Sequence, residues 1–594
     1  MTEETGNEWA DRGSSVFRSQ AREDAYLDAG IWGTQPLDAL LRHWSGALAG
    51  RLAIADSGDR EQWTSGAPRA LSFSELEAEV ARIAGLMVTL ELKPDTVVGM
   101  QMPNTTDAVV FCLAAWRAGL IVSLFPPYWR ASELVPALAE CGAKALFTTD
   151  RVESDEIGLR LRDVAADAFN IRFLLGVGDD LPEGMIDLVA LSREPGIEPL
   201  VAAPPRKENP ANHVAVITWA EARDGSPVAV PRSHNHLIAA GLGLTVDSAL
   251  GPKTRLLSTL GPSSLRGLAS GLAPWLISGA TLHCHHFRNL GGLVGQCVSE
   301  MPDIAVLPGA LAPYFVKGLA KRSMEPPRLA AVWTCDASDG ALPVPFPTAV
   351  TDIICLGEAG LMTAPRGAAA KPAPLKVGAH KRPREGEKPD LVDLSFGEFE
   401  LDTSPEDARR PRQLYVKGPM VPQYTWRDYR AAGTARSQMA QMYYGMATGL
   451  YGVLDISAGG VVLPLEPAPA STSVAGHSMP LKELDALYRA HPAVEDAAAL
   501  FVPDPRLGKR LMAAIVPKAD IPFDPSDFRA FLTERKVAVH KHPHSVVLVP
   551  MIPRLENGRV ERQMLTAAAM QRQSEAEAAA PVEEQEPAIQ AHGG

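Results

Sequence analysis

The chain lacks the features of a secreted, membrane-spanning or nucleic-acid-binding protein. It has 6 cysteines in 594 residues, none spaced as C-x-x-C, which predicts buried thiols in a reducing compartment. No run approaches the ~18 apolar residues of a membrane helix, and the acidic N-terminus lacks the apolar core of a signal peptide. A net charge of -13 argues against a nucleic-acid footprint, which needs clustered Lys and Arg. These absences predict a soluble, cytoplasmic protein without a membrane span.

What the chain does have is enough length and apolar content for more than one core. At 594 residues and 46% hydrophobic composition it should divide into at least two domains. From Leu71 a capping-box pattern, Ser72-Phe-Ser-Glu75, precedes apolar residues at helical spacing. Beyond it, short apolar runs at 96–100, 120–124 and 145–148 alternate with helical patterns at 107–118 and 132–141. Strands that alternate with helices predict an α/β fold with a parallel, doubly wound sheet.

The stretch from Ile217 to His234 is the most informative one for function. An apolar strand, Val214–Thr218, leads into a loop with Gly225 and Pro227, and a helical pattern opens after Ser233. That order of strand, loop and helix is the setting of a phosphate-binding cradle.

The loop itself has the wrong side chains for a phosphate. Its tip carries Glu221, Arg223 and Asp224, and Val228 follows the proline. Like charges at ~4 Å repel by about 1 kcal/mol in water and about 4 kcal/mol near a protein surface, so one arginine offsets only one of the carboxylates. Taken alone, the loop predicts a plain solvated turn.

Short motifs in a consistent order run along most of the chain. They are Ser72-Phe-Ser-Glu-Leu76, Lys93-Pro-Asp-Thr-Val97, Pro103-Asn104, Trp116-Arg-Ala-Gly119, Gly225-Ser-Pro227 with Ser233-His234, Leu414-Tyr-Val-Lys-Gly-Pro419, Ala447-Thr-Gly449, His491-Pro-Ala-Val494 and Ile552-Pro553 with Asn557-Gly558. Together they resemble the adenylate-forming superfamily, which includes acyl- and aryl-CoA ligases, peptide-synthetase adenylation domains and luciferases.

The resemblance implies a domain organisation and an activity. Residues 1–35 would be an N-terminal extension, 36–446 a large AMP-binding-type domain of several subdomains with doubly wound sheets, 447–568 a small mobile α+β domain, and 569–594 a disordered tail. In the family, the large domain binds ATP and a carboxylic acid. The small domain then rotates, first to make an acyl-AMP and then to pass the acyl group to coenzyme A or a carrier thiol.

Two segments that bind the nucleotide in the family have different side chains in this sequence. In the phosphate loop, Glu221, Arg223 and Asp224 replace hydroxyl residues and Val228 replaces a lysine. Midway, the family's Tyr-Gly-x-Thr-Glu turn reads Leu356-Gly357-Glu358-Ala359-Gly360, so the aromatic, the hydroxyl and the magnesium-binding carboxylate are absent in register. Glu358 lies two residues before the position of that carboxylate. It is either a metal ligand or, as we prefer, a solvated loop carboxylate.

The ribose contact, the hinge and the terminal lysine are altered too. Thr448-Gly449 is followed by Leu450 in place of an aspartate, which leaves two ribose hydroxyls unpaired at about 1 to 3 kcal/mol each. Proline at 464 and 467 should stiffen the hinge. Arg559 stands in place of the catalytic lysine of the family. Its wide, planar guanidinium is a poor substitute for the compact ammonium group of that lysine.

Two histidine-rich stretches are weaker candidates. His283-Cys-His-His286 follows a predicted strand whose residues point to alternate faces, so a partly exposed strand end is favoured over a metal cluster. The run at His540, His542 and His544 has no fourth ligand nearby in sequence. No metal site is therefore predicted.

The residues favour a divergent, non-catalytic homologue of ATP-dependent acyl-CoA ligases. It would bind an acyl-type ligand, an acyl carrier or a related active ligase, with no cofactor of its own. The alternative is a working AMP-forming acyl- or aryl-CoA ligase with drifted motifs, which would use ATP, Mg²⁺ and CoA. A different reaction in the same cleft is a third possibility, for which the sequence offers no new catalytic constellation.

Overall fold

The computed structural model describes residues 20–569 except 207, 222–226, 335–341, 370, 381–391, 397–411, 424–425, 427–444, 456–460, 466–470, 475–476, 505–507, 554–559, 561, 563–564 and 567–568. The chain divides into two compact units, a first that ends at Ser478 and a second that begins at Met479. The predicted disordered tail lies, beyond residue 569, outside the described residues.

The first unit opens with helices and short strands in alternation. In chain order they are α1 Gln20–Asp28, α2 Leu37–Ala47, β1 Leu52–Ala55, β2 Ala70–Ser72, α3 Phe73–Thr89, β3 Val97–Gln101, α4 Thr106–Arg117, β4 Ile121–Leu124, α5 Ala131–Cys141, β5 Ala145–Thr149, α6 Ile157–Ala166, β6 Phe173–Val177, β7 Ile186–Asp187, α7 Leu188–Leu191, β8 Val214–Glu221 and β9 Pro227–Ser233.

Seven of these strands form one sheet in the order β7-β6-β5-β3-β4-β8-β9. Its inner pairs are parallel; Val98, for example, lies opposite Val122 on one side and Ala145 on the other. Strands β3, β4 and β5 are buried along their whole length, as in a parallel sheet covered on both faces. The predicted doubly wound α/β architecture is confirmed.

The strands that follow β9, up to β22 (His477–Pro480), complete three more sheets, of eight, five and two strands. The elements are α8 His234–Asp247, β10 Arg255–Ser258, α9 Leu265–Gly267, α10 Ala273–Ser278, β11 Thr281–Cys284, α11 Leu290–Glu300, β12 Ile304–Pro308, α12 Ala312–Ala320, β13 Arg328–Thr334, β14 Val350–Leu356, β15 Gly360–Pro365, β16 Gly378–His380, β17 Val392–Phe396, β18 Arg412–Lys417, β19 Met446–Asp455, β20 Val461–Leu465, β21 Ser471–Val474 and β22 His477–Pro480.

An eight-stranded sheet runs β15-β14-β13-β12-β10-β11-β1-β2, and a five-stranded antiparallel sheet runs β16-β17-β18-β19-β20. The strands β10 to β14 are parallel neighbours, and β15 turns back on β14 as a hairpin. Some of their apolar side chains, such as those of Leu256 and Val306, share one core with the seven-stranded sheet, whereas others, such as those of Leu257 and Leu307, form a second core with α11 and α12. The turn of the β14–β15 hairpin and the start of β19 belong to the candidate site.

The second unit is small and mixed. It contains α13 Leu481–Arg489, β23 Val494–Asp504, β24 Gly508–Pro517, α14 Pro525–Glu534 and β25 Ser545–Leu548. The three strands form one sheet in the order β23-β24-β25, with β23 and β24 antiparallel. Helix α13 packs on β23, and Asp485 of that helix accepts the backbone N–H of Ala499 at 2.8 Å. The predicted small α+β domain is thus confirmed in its fold class.

Among the residues that the structure describes, no helix is both long and apolar enough to cross a membrane.

Candidate functional site

The first part of the site is the hairpin formed by β8 and β9. The two strands are antiparallel, from Val214 opposite Ser233 to Glu221 opposite Pro227, and Val228 lies opposite Ala220. Arg223, Asp224 and Gly225 fall outside the described residues. The predicted order of strand, loop and helix is wrong, because a strand stands between the loop and α8. Because β9 is an edge strand, it tolerates proline at 227 and 231.

The start of helix α8 is closed by its own residues. The hydroxyl of Ser233 accepts the backbone N–H of His236 at 3.2 Å, and Nδ1 of His236 accepts the backbone N–H of Ser233 at 3.1 Å. Burial lowers the pKa of His236 to about 3, so the ring is neutral and can accept. This reciprocal cap occupies donors that a helix N-terminus would otherwise offer to an anion.

Arg232, near the end of β9, carries a fully buried guanidinium. It donates to the hydroxyl of Thr218 at 2.5 Å and to the backbone carbonyl of Glu358. Burial lowers its pKa to about 10, an effect that the nearby charge of Glu358 opposes. Reasoning from the sequence missed this residue, and the signal that could have found it is a lone basic side chain inside the apolar run from Val228 to Val230 and Pro231.

The second part of the site is the turn between β14 and β15, where Leu356 pairs with Gly360. Gly357 has a positive φ of 59°, and a β-carbon on it would stand 2.4 Å from the carbonyl oxygen of Thr448. Ala359 and Gly360 are buried. The turn is therefore packed against β19 by its backbone, with no side chain between them.

Glu358 in this turn is not the solvated carboxylate that the sequence suggested. It is half-buried, and its Oε2 accepts the backbone N–H of Leu265 at 3.0 Å, at the first residue of α9. The turn Gly261–Ser264 just before it ends in Ser264, whose hydroxyl caps α9. Within the described chain no group of three or more His, Cys, Asp or Glu is arranged to hold a metal ion.

The third part of the site is the segment Thr448-Gly449-Leu450 on β19. The buried hydroxyl of Thr448 donates to the carbonyl of Leu414 at 3.0 Å and accepts the backbone N–H of Leu450 at 3.1 Å. Gly449 has a φ of 74° and nothing near the place of a β-carbon. The side chain of Leu450 is partly buried against the main core. As the sequence predicted, this position offers no acceptor for a hydroxyl.

The histidine stretch after β11 is more buried than predicted. His283 and His285 are 2% and 1% exposed, so the expectation of a partly exposed strand end is wrong for both. Nδ1 of His285 lies 2.7 Å from Oε1 of Gln296, and the ring of His286 stacks on Trp63 at 4.3 Å. These contacts indicate that His285 and His286 have a structural role in packing.

Several predicted site residues therefore meet in one place, although they are far apart in sequence. Arg232 binds the backbone of Glu358, the carboxylate of Glu358 binds Leu265, and Gly357 abuts Thr448. The arrangement places a buried cation beside a glycine-containing turn, and the apolar side chain of Leu450 lies on the adjoining strand β19. Arg559 lies outside the described residues, as does Pro467, while Pro464 lies opposite Gly452 in β20.

Comparison with known proteins gives a consistent result. The model of the AMP-binding enzyme family matches residues 50–485, and that of the AMP-binding enzyme C-terminal domain matches 483–559. The salicyl-AMP ligase / salicyl-S-ArCP synthetase of Mycobacterium tuberculosis is 24% identical over 570 residues, 92% of each chain. The 2,3-dihydroxybenzoate-AMP ligase of Bacillus subtilis is 23% identical over 92% of this chain and 96% of its own.

Solved structures agree on the fold. MbtA of Mycobacterium smegmatis matches with a TM-score of 0.61 and 19% identity, over 94% of this chain and 99% of its own. The amide bond synthetase McbA of Marinactinospora thermotolerans matches with a TM-score of 0.69 and 17% identity, over 90% and 99%. These similarities confirm the fold that the sequence motifs suggested.

Proposed function

Since the chain belongs to the AMP-binding enzyme family, we propose that it is an AMP-forming acid–thiol ligase with an atypical nucleotide site. It would join a carboxylic acid to ATP as an acyl-AMP, release pyrophosphate, and pass the acyl group to a thiol. The observation that carries the proposal is the meeting of the β8–β9 hairpin, the Gly357 turn and Thr448 in one place. Curated relatives of nearly equal length, named as ligases of this kind, support it.

The chain's own residues have definable parts in this reaction. Attack of a carboxylate on an α-phosphate needs two anions to be brought together, so catalysis depends on positioning and charge neutralisation. Arg232 contributes positive charge beneath the hairpin, and Gly357 lets the turn approach β19 without a side chain between them. Magnesium fits poorly here, because the Glu358 carboxylate is held by Leu265, and no step is assigned to it.

The proposed substrate is an aryl or acyl carboxylic acid, and the proposed acceptor is coenzyme A or the thiol of a carrier protein. Salicylate and 2,3-dihydroxybenzoate appear in the names of the relatives above, which makes aryl acids the first compounds to try. A carrier partner is proposed because one relative is named a salicyl-S-ArCP synthetase. A cytoplasmic location stays a prediction.

Exchange of labelled pyrophosphate into ATP tests the proposal. The protein is incubated with ATP, Mg²⁺ and one acid at a time, from salicylate and benzoate to medium-chain fatty acids. Acid-dependent exchange above the no-acid background is expected for at least one of them. Absence of exchange for all of them, from protein with a cooperative melting transition, would refute the proposal.

The second candidate is the non-catalytic homologue that the sequence favoured, and Leu450 is the observation that supports it. An apolar side chain there leaves ribose hydroxyls without an acceptor. Arg559→Lys separates the two candidates. In a drifted enzyme this single repair increases exchange, whereas in a non-catalytic protein the losses act as a unit and the repair changes nothing.

A further inference from the structure

Arg232 differs from the other fully or largely buried arginines of the first unit in the partners of its charge. Arg60 lies 2.6 Å from Asp56 and 2.5 Å from Asp107, and Arg117 lies 2.8 Å from Asp38. Arg366 is paired in the same way with Asp352 at 2.6 Å. In each of these, the cost of burying a cation is offset by a carboxylate in contact.

The acceptors of Arg232 are neutral. They are the hydroxyl of Thr218 and the backbone carbonyl of Glu358. No Asp or Glu of the described residues is within ion-pair distance of its guanidinium, and the charge of Glu358 acts on it only from a longer distance. Its buried Nε, like that of Arg60, has no hydrogen-bond partner among the described residues. A guanidinium has five N–H donors in a planar fork that matches two oxygens of a carboxylate or a phosphate. Arg232 thus has N–H donors to spare and no carboxylate in contact with it.

The position of Arg232 indicates what its spare donors could bind. Arg232 lies in β9, the strand in which Val228 stands where the family has a lysine. It binds the turn in which Ala359 and Gly360 stand where the family has a hydroxyl and a carboxylate. Both segments have lost polar groups of the nucleotide site, and the arginine lies between them. The position of the missing lysine and the buried cation without a contacting carboxylate are therefore on the same strand, β9.

We propose that Arg232 binds an anionic oxygen group of the substrate, a phosphate of the nucleotide or the carboxylate of the acid, in place of the lysine missing at Val228. The guanidinium is fully covered by the chain, so the anion reaches it when the turn at Glu358 shifts. The anionic oxygen then replaces the Glu358 carbonyl as acceptor of Nη2.

This inference rests on the proposed function only for the identity of the ligand, and its test needs no turnover. Binding is measured by calorimetry for two pairs of ligands, AMP against adenosine and salicylate against salicylamide. The members of a pair differ in the anionic group, so the ratio of their dissociation constants isolates what that group contributes. A purely structural role of Arg232 would weaken both members of a pair equally.

The variants are Arg232→Met, which removes the charge and keeps an apolar stem, and Arg232→Lys, which keeps the charge and loses the fork. Arg255→Met is the matched control, since Arg255 is a half-exposed arginine paired with Asp303 at the start of β10. Should Arg232→Met fail to fold, Arg232→Gln, which keeps a donor for Thr218, takes its place with the same criteria.

The wild-type protein should prefer the anionic member of at least one pair by about tenfold or more. Arg232→Met should abolish that preference, so that the ratio of dissociation constants is about 1. Arg232→Lys should keep part of the preference, and Arg255→Met should leave it unchanged. Collapse of the AMP preference identifies the phosphate as the ligand, and collapse of the salicylate preference identifies the carboxylate. An unchanged ratio in Arg232→Met, or a wild-type protein with no preference in either pair, overturns the proposal. A protein inactive in exchange whose preference depends on Arg232 would refute the proposed reaction alone.

Discussion

A β-carbon on Gly357 would lie 2.4 Å from the carbonyl oxygen of Thr448, so the two segments meet through backbone alone. Gly357 also has a φ of 59°, a conformation that glycine adopts without the strain that a β-carbon brings. Two independent constraints therefore require glycine at this turn. The meeting of the β14–β15 turn with β19 depends on this residue.

Gly357→Ala should destabilise the first unit by about 2 to 4 kcal/mol, because the strain of a left-handed alanine adds to the clash with Thr448. Gly367→Ala is the matched control. Gly367 has a similar φ of 62° with nothing within 4 Å of the β-carbon position, so only the strain, about 1 kcal/mol, applies. Urea unfolding measures the loss of unfolding free energy in each of the two variants. Equal losses would show that the contact with Thr448 is not tight.

Glu358 is expected to act as a hydrogen-bond acceptor for α9 and not as a metal ligand. Glu358→Ala removes the acceptor of the Leu265 N–H and should cost about 1 kcal/mol of stability. Glu358→Gln keeps an acceptor oxygen and should cost less than half of that. Denaturant unfolding measures the stability of both variants. If Glu358→Gln instead removed a Mg²⁺-dependent shift in melting temperature, the carboxylate would be a metal ligand after all.

His236 should make the protein less stable in mild acid. Its folded-state pKa, about 3, is below the usual histidine value of 6.5. Between these values the unfolded chain binds the proton, so stability falls as pH falls below 6.5. At pH 5 the loss from this residue is roughly 2 kcal/mol. His236→Gln keeps a capping acceptor and should shrink the difference in unfolding free energy between pH 7.5 and pH 5 by that amount. An unchanged difference would contradict a neutral, buried ring.

Local patterns in the sequence predicted the elements well where the interactions are local. The capping box at Ser72 and Glu75 is present at the start of α3, and Leu76, Val80, Ile83 and Met87 are buried as their spacing required. The strands β3, β4 and β5 lie within a residue of the predicted runs. Strand β9 was missed because Pro227 was assigned to the loop. The strand contains Pro227 and Pro231, which are tolerated because it lies at the edge of the sheet.

The sequence predicted some residues of the candidate site, but it missed Arg232 and the contacts that join these residues. Gly357, Glu358 and Thr448 were identified from sequence order. Glu358 does contact the hairpin through Arg232, and Thr448 abuts Gly357. The bond from Arg232 to Glu358 joins residues 126 positions apart, and no local pattern encodes such a contact. The same holds for the Glu358 carboxylate, whose partner Leu265 follows a different strand.

Leu450→Asp should increase affinity for nucleotides by supplying an acceptor for ribose hydroxyls. A hydrogen bond to a charged group contributes about 1.5 to 3 kcal/mol, so AMP should bind about tenfold or more tightly. The gain should be absent for 2′,3′-dideoxy-AMP, which lacks the hydroxyls, and for Leu450→Met, which lacks the acceptor. Calorimetric titration compares the four combinations. Equal gains for AMP and its dideoxy analogue would place the ribose elsewhere.

The most direct test of the central claim is detection of the acyl-adenylate itself. The protein, at a concentration near that of the substrates, is incubated with ATP, Mg²⁺ and an acid from the exchange panel, and the quenched mixture is analysed by mass spectrometry. An AMP-forming acid–thiol ligase gives the mass of the acyl-AMP, which disappears with release of free AMP when coenzyme A or a carrier thiol is added. If no acid yields an acyl-AMP, and a titration with MgATP shows no binding, the chain keeps the fold of the family without its chemistry.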